Sequence, residues 1–321
     1  MSDETALPEA AGRPDERPPS ALARFLDSDL WWSFRRSPLV ITAFLVTVLM
    51  IGAATFAPWV APHDPFDLAS LDLMDSLLPP AWLEGGDPRY LLGTDDQGRD
   101  ILSTILYGAR ISLLVGFLSV ILAMLIGVTI GLVAGYAGGV TDAVLMRIAD
   151  IQLTFPAILI ALLVDGVMRG ILPPEAHEEV ALFVLVLAIA LSSWVQYART
   201  VRSSTMVEKR KEYVQAAQVI GLPSARILVR HILPNVMGPV LVIATIQLAL
   251  AIIIEATLSF LGVGVPPTSP SLGTLIRIGN DYLFSGEWWI TVFPGLALII
   301  LVLAVNLLGD WLRDVLNPKL R

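Results

Sequence analysis

The chain contains no cysteine, so no disulfide, thiolate metal site or cysteine nucleophile can be built from it. Histidine occurs only at His63, His177 and His231, a scatter that makes no metal cluster. Lysine occurs only at positions 209, 211 and 319, never after glycine, which excludes a G-x-x-x-x-G-K-[ST] phosphate-binding loop. Charge is scarce: 16% of residues carry one, against about 25% in ordinary globular chains. Apolar side chains take that place, with 55% of the 321 residues and a mean hydropathy of +0.72. Such a chain is built for lipid. Its net charge of -8 argues against a nucleic-acid partner as a whole-chain property.

A run of about 20 apolar residues crosses a hydrocarbon core of ~30 Å, so charge-free stretches mark the spans. Four are plain: Ser37 to His63, Ile111 to Thr141, Val180 to Ala198 and Trp288 to Gly309. A fifth starts near His231 and ends near Gly262, ahead of Pro266, Pro267 and Pro270. The stretch from Thr141 to Val164 is equivocal, because Asp142, Arg147 and Asp150 leave only 14 uncharged residues after them. Topology decides it. The loop from Arg199 to Arg230 holds seven basic residues and two acids, whereas the loop from Asp64 to Asp100 holds nine acids and two arginines. The first reads as cytoplasmic and the second as external. With Arg35 and Arg36 keeping the N terminus inside, an even number of crossings must precede the basic loop. Asp142 to Val164 therefore spans, with Arg147 and Asp150, three apart on one face, neutralising each other.

The expectation is an all-α, polytopic protein with six transmembrane helices and both termini in the cytoplasm. Residues 1–30 read as a disordered tail, 31–110 as the first span and an external loop, 111–310 as a core of five spans with a cytoplasmic loop at 199–235, and 311–321 as a C-terminal tail. The first span reads as an uncleaved anchor, being longer than a signal-peptide core of about 7 to 15 residues.

Three features carry chemistry. In the basic loop, Glu212-Tyr-Val-Gln-Ala-Ala-Gln-Val-Ile-Gly221-Leu-Pro and Arg226 to Pro234 predict two short helices. Ala216 and Ala217 permit close approach, Gly221 supplies a left-handed end, and Pro223 stops continuation. The loop is either a docking surface for a cytoplasmic partner or a solvated face. In the acidic loop, Thr94 and Gln97 have capping-box spacing, and Ile101, Leu102, Ile105 and Leu106 share a face. This predicts an amphipathic helix lying on the bilayer before the second span, either shaping the external mouth or meeting a solute-delivery protein. The acids there lack D-x-D-x-D-G spacing, so no calcium loop is expected. Finally, Glu255 is the only charge between His231 and Arg277. It must face protein or water, as a structural partner at a subunit interface, a protonated hydrogen-bonded group, or part of a translocation path. No Ser/His/Asp set, HExxH helix or other metal-spaced cluster occurs at membrane depth.

The basic loop, Gln215-Ala-Ala-x-x-x-Gly221 followed by His231-Ile-Leu-Pro234, resembles the EAA loop of ABC-importer permeases. Gln215 stands where that family has an acid, and Glu212 lies one turn earlier. Leu92-Gly93-Thr94-Asp95-Asp-Gln-Gly98-Arg99-Asp100, Glu255-Ala-Thr-Leu-Ser-Phe-Leu-Gly262 and Asn306 to Asp314 narrow the resemblance to the C-type subunit of the dipeptide/oligopeptide/nickel branch. The resemblance implies a type I importer permease fold in a bacterial cytoplasmic (inner) membrane. It implies as partners a homologous B-type permease, two cytoplasmic ABC ATPases holding ATP and Mg, and an external solute-binding protein. This chain would bind no cofactor and be no enzyme. Glu212, Gln215, Ala216, Ala217, Gly221 and Pro234 would inherit the ATPase-coupling role. Peptide is the expected cargo, with nickel or another small solute as the alternative. An ion-coupled secondary transporter would need intramembrane acids, and Arg147, Asp150 and Glu255 are too few and dispersed for it.

Overall fold

The computed structural model describes residues 29–67, 71–171, 173–266 and 268–316. The tail expected over 1–30 lies outside the described residues apart from its last two, as do 317–321 of the C-terminal tail. A short helix α1 (Asp29–Arg36) leads into α2 (Pro38–Thr55), whose start is capped by Ser37. Then come α3 (Ile101–Ala137), α4 (Gly139–Leu153), α5 (Ala157–Ile171) and α6 (Pro174–Glu208). Next are α7 (Glu212–Val219), α8 (Leu233–Phe260), α9 (Leu272–Tyr282) and α10 (Trp289–Leu316). No strand occurs among the described residues.

Five of these helices, the α8 span counted from Ser224, are long and apolar enough to cross a membrane; α4 and α5 pass the same test only as a pair, which counts as a sixth crossing if it is one span. It is not the straight span expected from Asp142 to Val164, because the pair bends by 95°. The break falls at Thr154 to Pro156, where proline offers no N–H and restricts the residue before it. The expected Arg147–Asp150 neutralisation also gives way. Asp150 instead accepts from Arg199, and both oxygens of Asp142 accept from Arg202. α4 lies beside α6, whose arginines reach these acids across the helix gap.

The centre of the bundle is the parallel pair α3 and α6, whose contacts advance together along both helices. Lipid is as apolar as leucine, so helix association here depends on close packing rather than water exclusion. Gly127, Gly131 and Gly135, four residues apart on one face, meet Trp194, Ala198 and Arg202, also four apart. A Cβ on these glycines would lie 2.4, 2.6 and 2.7 Å from the facing carbonyl oxygens, so the helices touch backbone to backbone. α8 crosses this pair, and α10 packs on α8 and α2.

Two further expectations fail in ways that matter for function. Residues Ile101 to Leu106 do not form a separate helix lying on lipid; they are the first turns of the 37-residue α3. Their apolar face is covered by protein, with Ile101 and Ile105 packed among Ile252, Leu272, Leu275, Trp289 and Ile290. Likewise Arg199 and Arg202 belong to α6 rather than to a loop, and the helical run into α8 begins at Ser224, so the connection on the basic side, which carries α7, is confined to 209–223.

Candidate functional site

At the basic end of the bundle, α7 protrudes as a single short helix. Its inward face is Val214 and Ala217, both buried against Ile227, Ile232 and Val236. Its outward face presents Glu212, Gln215, Ala216, Val219 and Ile220, the last two 86% and 74% exposed. The two alanines expected to act together are thus divided: Ala217 seats the helix and Ala216 is free. α7 ends in a Schellman motif. Gly221 takes φ +77°, its N–H donates to Gln218 O at 3.0 Å, and Leu222 N–H donates to Ala217 O at 3.1 Å.

A polar bracket ties α7 to the two long helices. The Tyr213 hydroxyl donates to Glu208 at the end of α6, and Asn235 Nδ2 donates to Tyr213 Oη at 3.1 Å and to His231 O at 2.7 Å. Lys211 pairs with the same Glu208 at 2.8 Å. Desolvation, reinforced by the Glu208 carboxylate, pushes the Tyr213 phenol up to about 12, so it remains a donor at physiological pH. Lys209 Nζ donates to Tyr136 O and lies 5.0 Å from that ring, closing the end of α3. Gln215 donates its side-chain amide to Arg210 O at 3.1 Å, and Pro234 occupies the first turn of α8. Between Ile227 and α8, Leu228–Ile232 winds as a π-helical turn, a local widening that often marks functional positions. Tyr213, Glu208 and Asn235 had no motif to announce them, because their partnership is fixed only by folding.

The acidic end is built differently. Asp95 Oδ2 receives Arg99 Nε at 2.7 Å, with both side chains 3% exposed, and Asp95 Oδ1 also accepts the N–H groups of Gln97 and Arg99. Thr94 does not cap a helix as its spacing predicts. Its hydroxyl donates to Asp75 O at 2.6 Å and accepts Leu78 N–H at 2.8 Å, while Asp100 caps α3 through Ser103 N–H at 2.9 Å. The loop is fastened to α10 by Trp289 Nε1 donating to Thr94 O at 3.1 Å. Gly93 and Gly98 both have positive φ and lie so near the backbone of Leu78 and Asp72 that a Cβ would clash at 2.5 Å. Burial, with help from neighbouring Asp95, raises the Asp96 carboxyl above the usual range; Tyr282 of α9 approaches it at 3.5 Å.

Glu255 lies near this end on α8 and is 0% exposed, enclosed by its own chain rather than left on an outer face. Ser259 Oγ donates to its Oε1 at 2.8 Å, Ser112 and Ser271 stand near the same carboxyl, and its Oε2 is buried without a hydrogen-bond partner among the described residues. Ser112 Oγ also accepts Leu272 N–H at 3.3 Å. That bond joins α3 to the start of α9 beside the carboxyl carried by α8. Of the two other charges singled out in the sequence, Asp150 is taken by Arg199 and Arg147 sits exposed on α4.

Fold and site together define a multi-pass helical membrane subunit with a protruding loop at its basic end. Comparison with known proteins gives that class a family. Residues 127–321 match the binding-protein-dependent transport system inner membrane component, and residues 27–80 match the N-terminal transmembrane domain of oligopeptide transport permease C. The di/tripeptide transport system permease protein DppC of Pseudomonas aeruginosa is 41% identical over 304 residues, 94% of either chain. The dipeptide permeases DppC of Haemophilus influenzae and Escherichia coli are 41% and 40% identical, each over 91% of this chain and 95% and 93% of their own. A chain of the MetNI methionine ABC transporter, solved in inward-facing conformations, shares the fold at 20% identity and TM-score 0.52. That match covers 67% of this chain and 97% of the other. The chain belongs to the binding-protein-dependent ABC permease family, in its C-type peptide branch.

Proposed function

We propose that this chain is the C-type membrane-spanning subunit of an ATP-driven importer of di- or oligopeptides. It forms the translocation path with a homologous B-type permease, receives solute from an external binding protein, and docks on cytoplasmic ATPases that hold the ATP and Mg. It binds no cofactor of its own. It sits in the bacterial cytoplasmic (inner) membrane with its basic end and both termini in the cytoplasm and its acidic end outside. The protruding α7, with Val219 and Ile220 left in solvent beside Ala216 and Glu212, is the observation that carries the reading: such an apolar tip calls for a partner's groove. Identity of about 40% over nearly the whole chain to dipeptide and di/tripeptide permeases favours peptide over nickel. The bracket of Glu208, Tyr213 and Asn235 then supplies a rigid link by which a stroke at α7 moves α6 and α8 together.

The test is co-expression of this chain with the B-type permease, the ATPases and the binding protein, followed by dipeptide uptake into proteoliposomes. Peptide-dependent ATP hydrolysis and uptake are expected, and copurification without either would overturn the assignment. Orientation is read separately in intact cells with an impermeant maleimide. Glu84→Cys should label and Lys211→Cys should stay protected until lysis; the opposite pattern reverses the topology.

A further inference from the structure

Midway along the bundle, α3, α6 and α8 meet around a narrow pocket lined by Ser119, Ser193, Tyr197 and Gln247 with Ala123 and Ala251. The depth follows from the helices. Ser119 has eighteen residues of α3 on either side, and Gln247 has fourteen residues of α8 before it and thirteen after. The pocket encloses about 160 Å³ and is too tight to admit a water molecule. Its polar groups are unsatisfied. Ser119 and Tyr197 are 1% and 0% exposed, and neither hydroxyl has a hydrogen-bond partner among the described residues. Ser193 reaches only the Ser192 hydroxyl, at 3.4 Å.

Buried hydroxyls in native proteins are almost always paired, because leaving one unmade is costly. Phe, Ala and Leu would fill these positions at no such cost, so packing alone does not account for Tyr197, Ser119 and Gln247. The flanking contacts say which wall can give way. α3 and α6 are locked backbone to backbone along Gly127, Gly131 and Gly135, whereas near Gly116 the closest atoms of α8 belong to the side chains of Ile252 and Leu248. A neutral phenol, two hydroxyls and an amide offer donors and acceptors without charge. Such a set suits the main-chain N–H and C=O groups common to all peptides and is indifferent to their side chains.

We propose that this pocket is a closed section of the translocation path, which opens when α8 draws away from the α3–α6 pair and then hydrogen-bonds the main chain of the passing peptide. The ligand class rests on the peptide-import reading above; the opening does not. The test uses the assembled transporter in proteoliposomes. Because this chain has no cysteine, Ser193→Cys introduces one thiol, whose modification by a small methanethiosulfonate is read on this chain by mass spectrometry. Modification should be slow at rest and at least tenfold faster in the vanadate-trapped, nucleotide-bound state. Equal slow rates in both states overturn the proposal.

In a second arm, Tyr197→Phe and Gln247→Leu keep the packing and remove the polar groups. Each should lower dipeptide uptake about two- to tenfold, the effect of one lost hydrogen bond, while ATP hydrolysis stimulated by the binding protein persists. Wild-type uptake by both variants overturns the main-chain contact. A wild-type complex that carries no di- or tripeptide would instead sink the peptide reading, and the labelling arm, which contains no peptide, still decides whether the pocket opens.

Discussion

The two ends of the bundle are made from similar residues to opposite effect. At the acidic end, polar groups are spent on one another: Asp95 on Arg99, Thr94 on Asp75 and Leu78, Asp100 on Ser103, Glu255 on Ser259. α9 is pressed into place there, since a Cβ on Gly273 would sit 2.4 Å from Ala256 O. At the basic end, Gly221 has nothing within 4 Å of where a Cβ would go, and apolar Val219 and Ile220 stand in solvent. Gly273 is there for its size; Gly221 is there for its backbone. The difference teaches that one end is finished by its own chain and the other awaits a partner.

The sharpest way to break this contrast is Arg99→Leu. Removing one member of a buried ion pair leaves the other charge stranded, at about 3–5 kcal/mol. The detergent-solubilised transporter should show a large fall in melting temperature, and an unchanged melt would mean that the acidic end is not held by this pair. Gly273→Ala comes next. Its methyl group must displace backbone rather than a flexible side chain, a cost of about 1–3 kcal/mol, again visible as a lower melt with function falling in proportion to folded protein.

Gly221→Ala sharpens the comparison from the other side. The left-handed conformation costs an L-residue about 1–2 kcal/mol, yet no atom obstructs the new methyl. The strain falls on the Schellman end of α7, so the melt should shift little while peptide-dependent ATP hydrolysis drops. If Gly221→Ala and Gly273→Ala both act only through stability, the division between a finished end and a docking end is wrong.

The spans were legible because lipid imposes a length and forbids stray charge, and α2, α3, α6 and α10 follow from those rules alone. What the sequence concealed was the identity of neighbours. The face of Ile101, Leu102, Ile105 and Leu106 has the same spacing whether it meets headgroups or another helix, and here protein covers it. Asp150 has Arg147 within reach on its own helix, yet takes Arg199 across the gap, a choice made by tertiary placement. α9 was missed although Ser271 stands as its N-cap before apolar Leu272, Leu275 and Ile276, because the preceding prolines read as loop. In the basic loop the glycine and prolines fixed the shape of α7. The inward turn of Ala217 and the bracket around Tyr213 needed α6 and α8 in place.

The smallest expected effect concerns pH and tests how thoroughly the acidic end is satisfied. Asp96 is one exception there. Its Oδ1 is buried without a hydrogen-bond partner, and desolvation together with the nearby Asp95 raises its carboxyl above the ordinary value. The folded state therefore holds this proton more tightly than the unfolded chain does. By linkage, the stability it contributes is fully present below the ordinary carboxylate range, about 3.9 for aspartate, and is lost as pH rises through the window above it. Asp96→Asn removes the titration while keeping an acceptor for Tyr282. The melting temperature of the variant minus that of the wild type should be near zero at pH 4 and become positive by pH 7, with the change confined to that interval. A difference that is flat with pH, or that grows as pH falls, would mean that the charge on Asp96 is compensated after all.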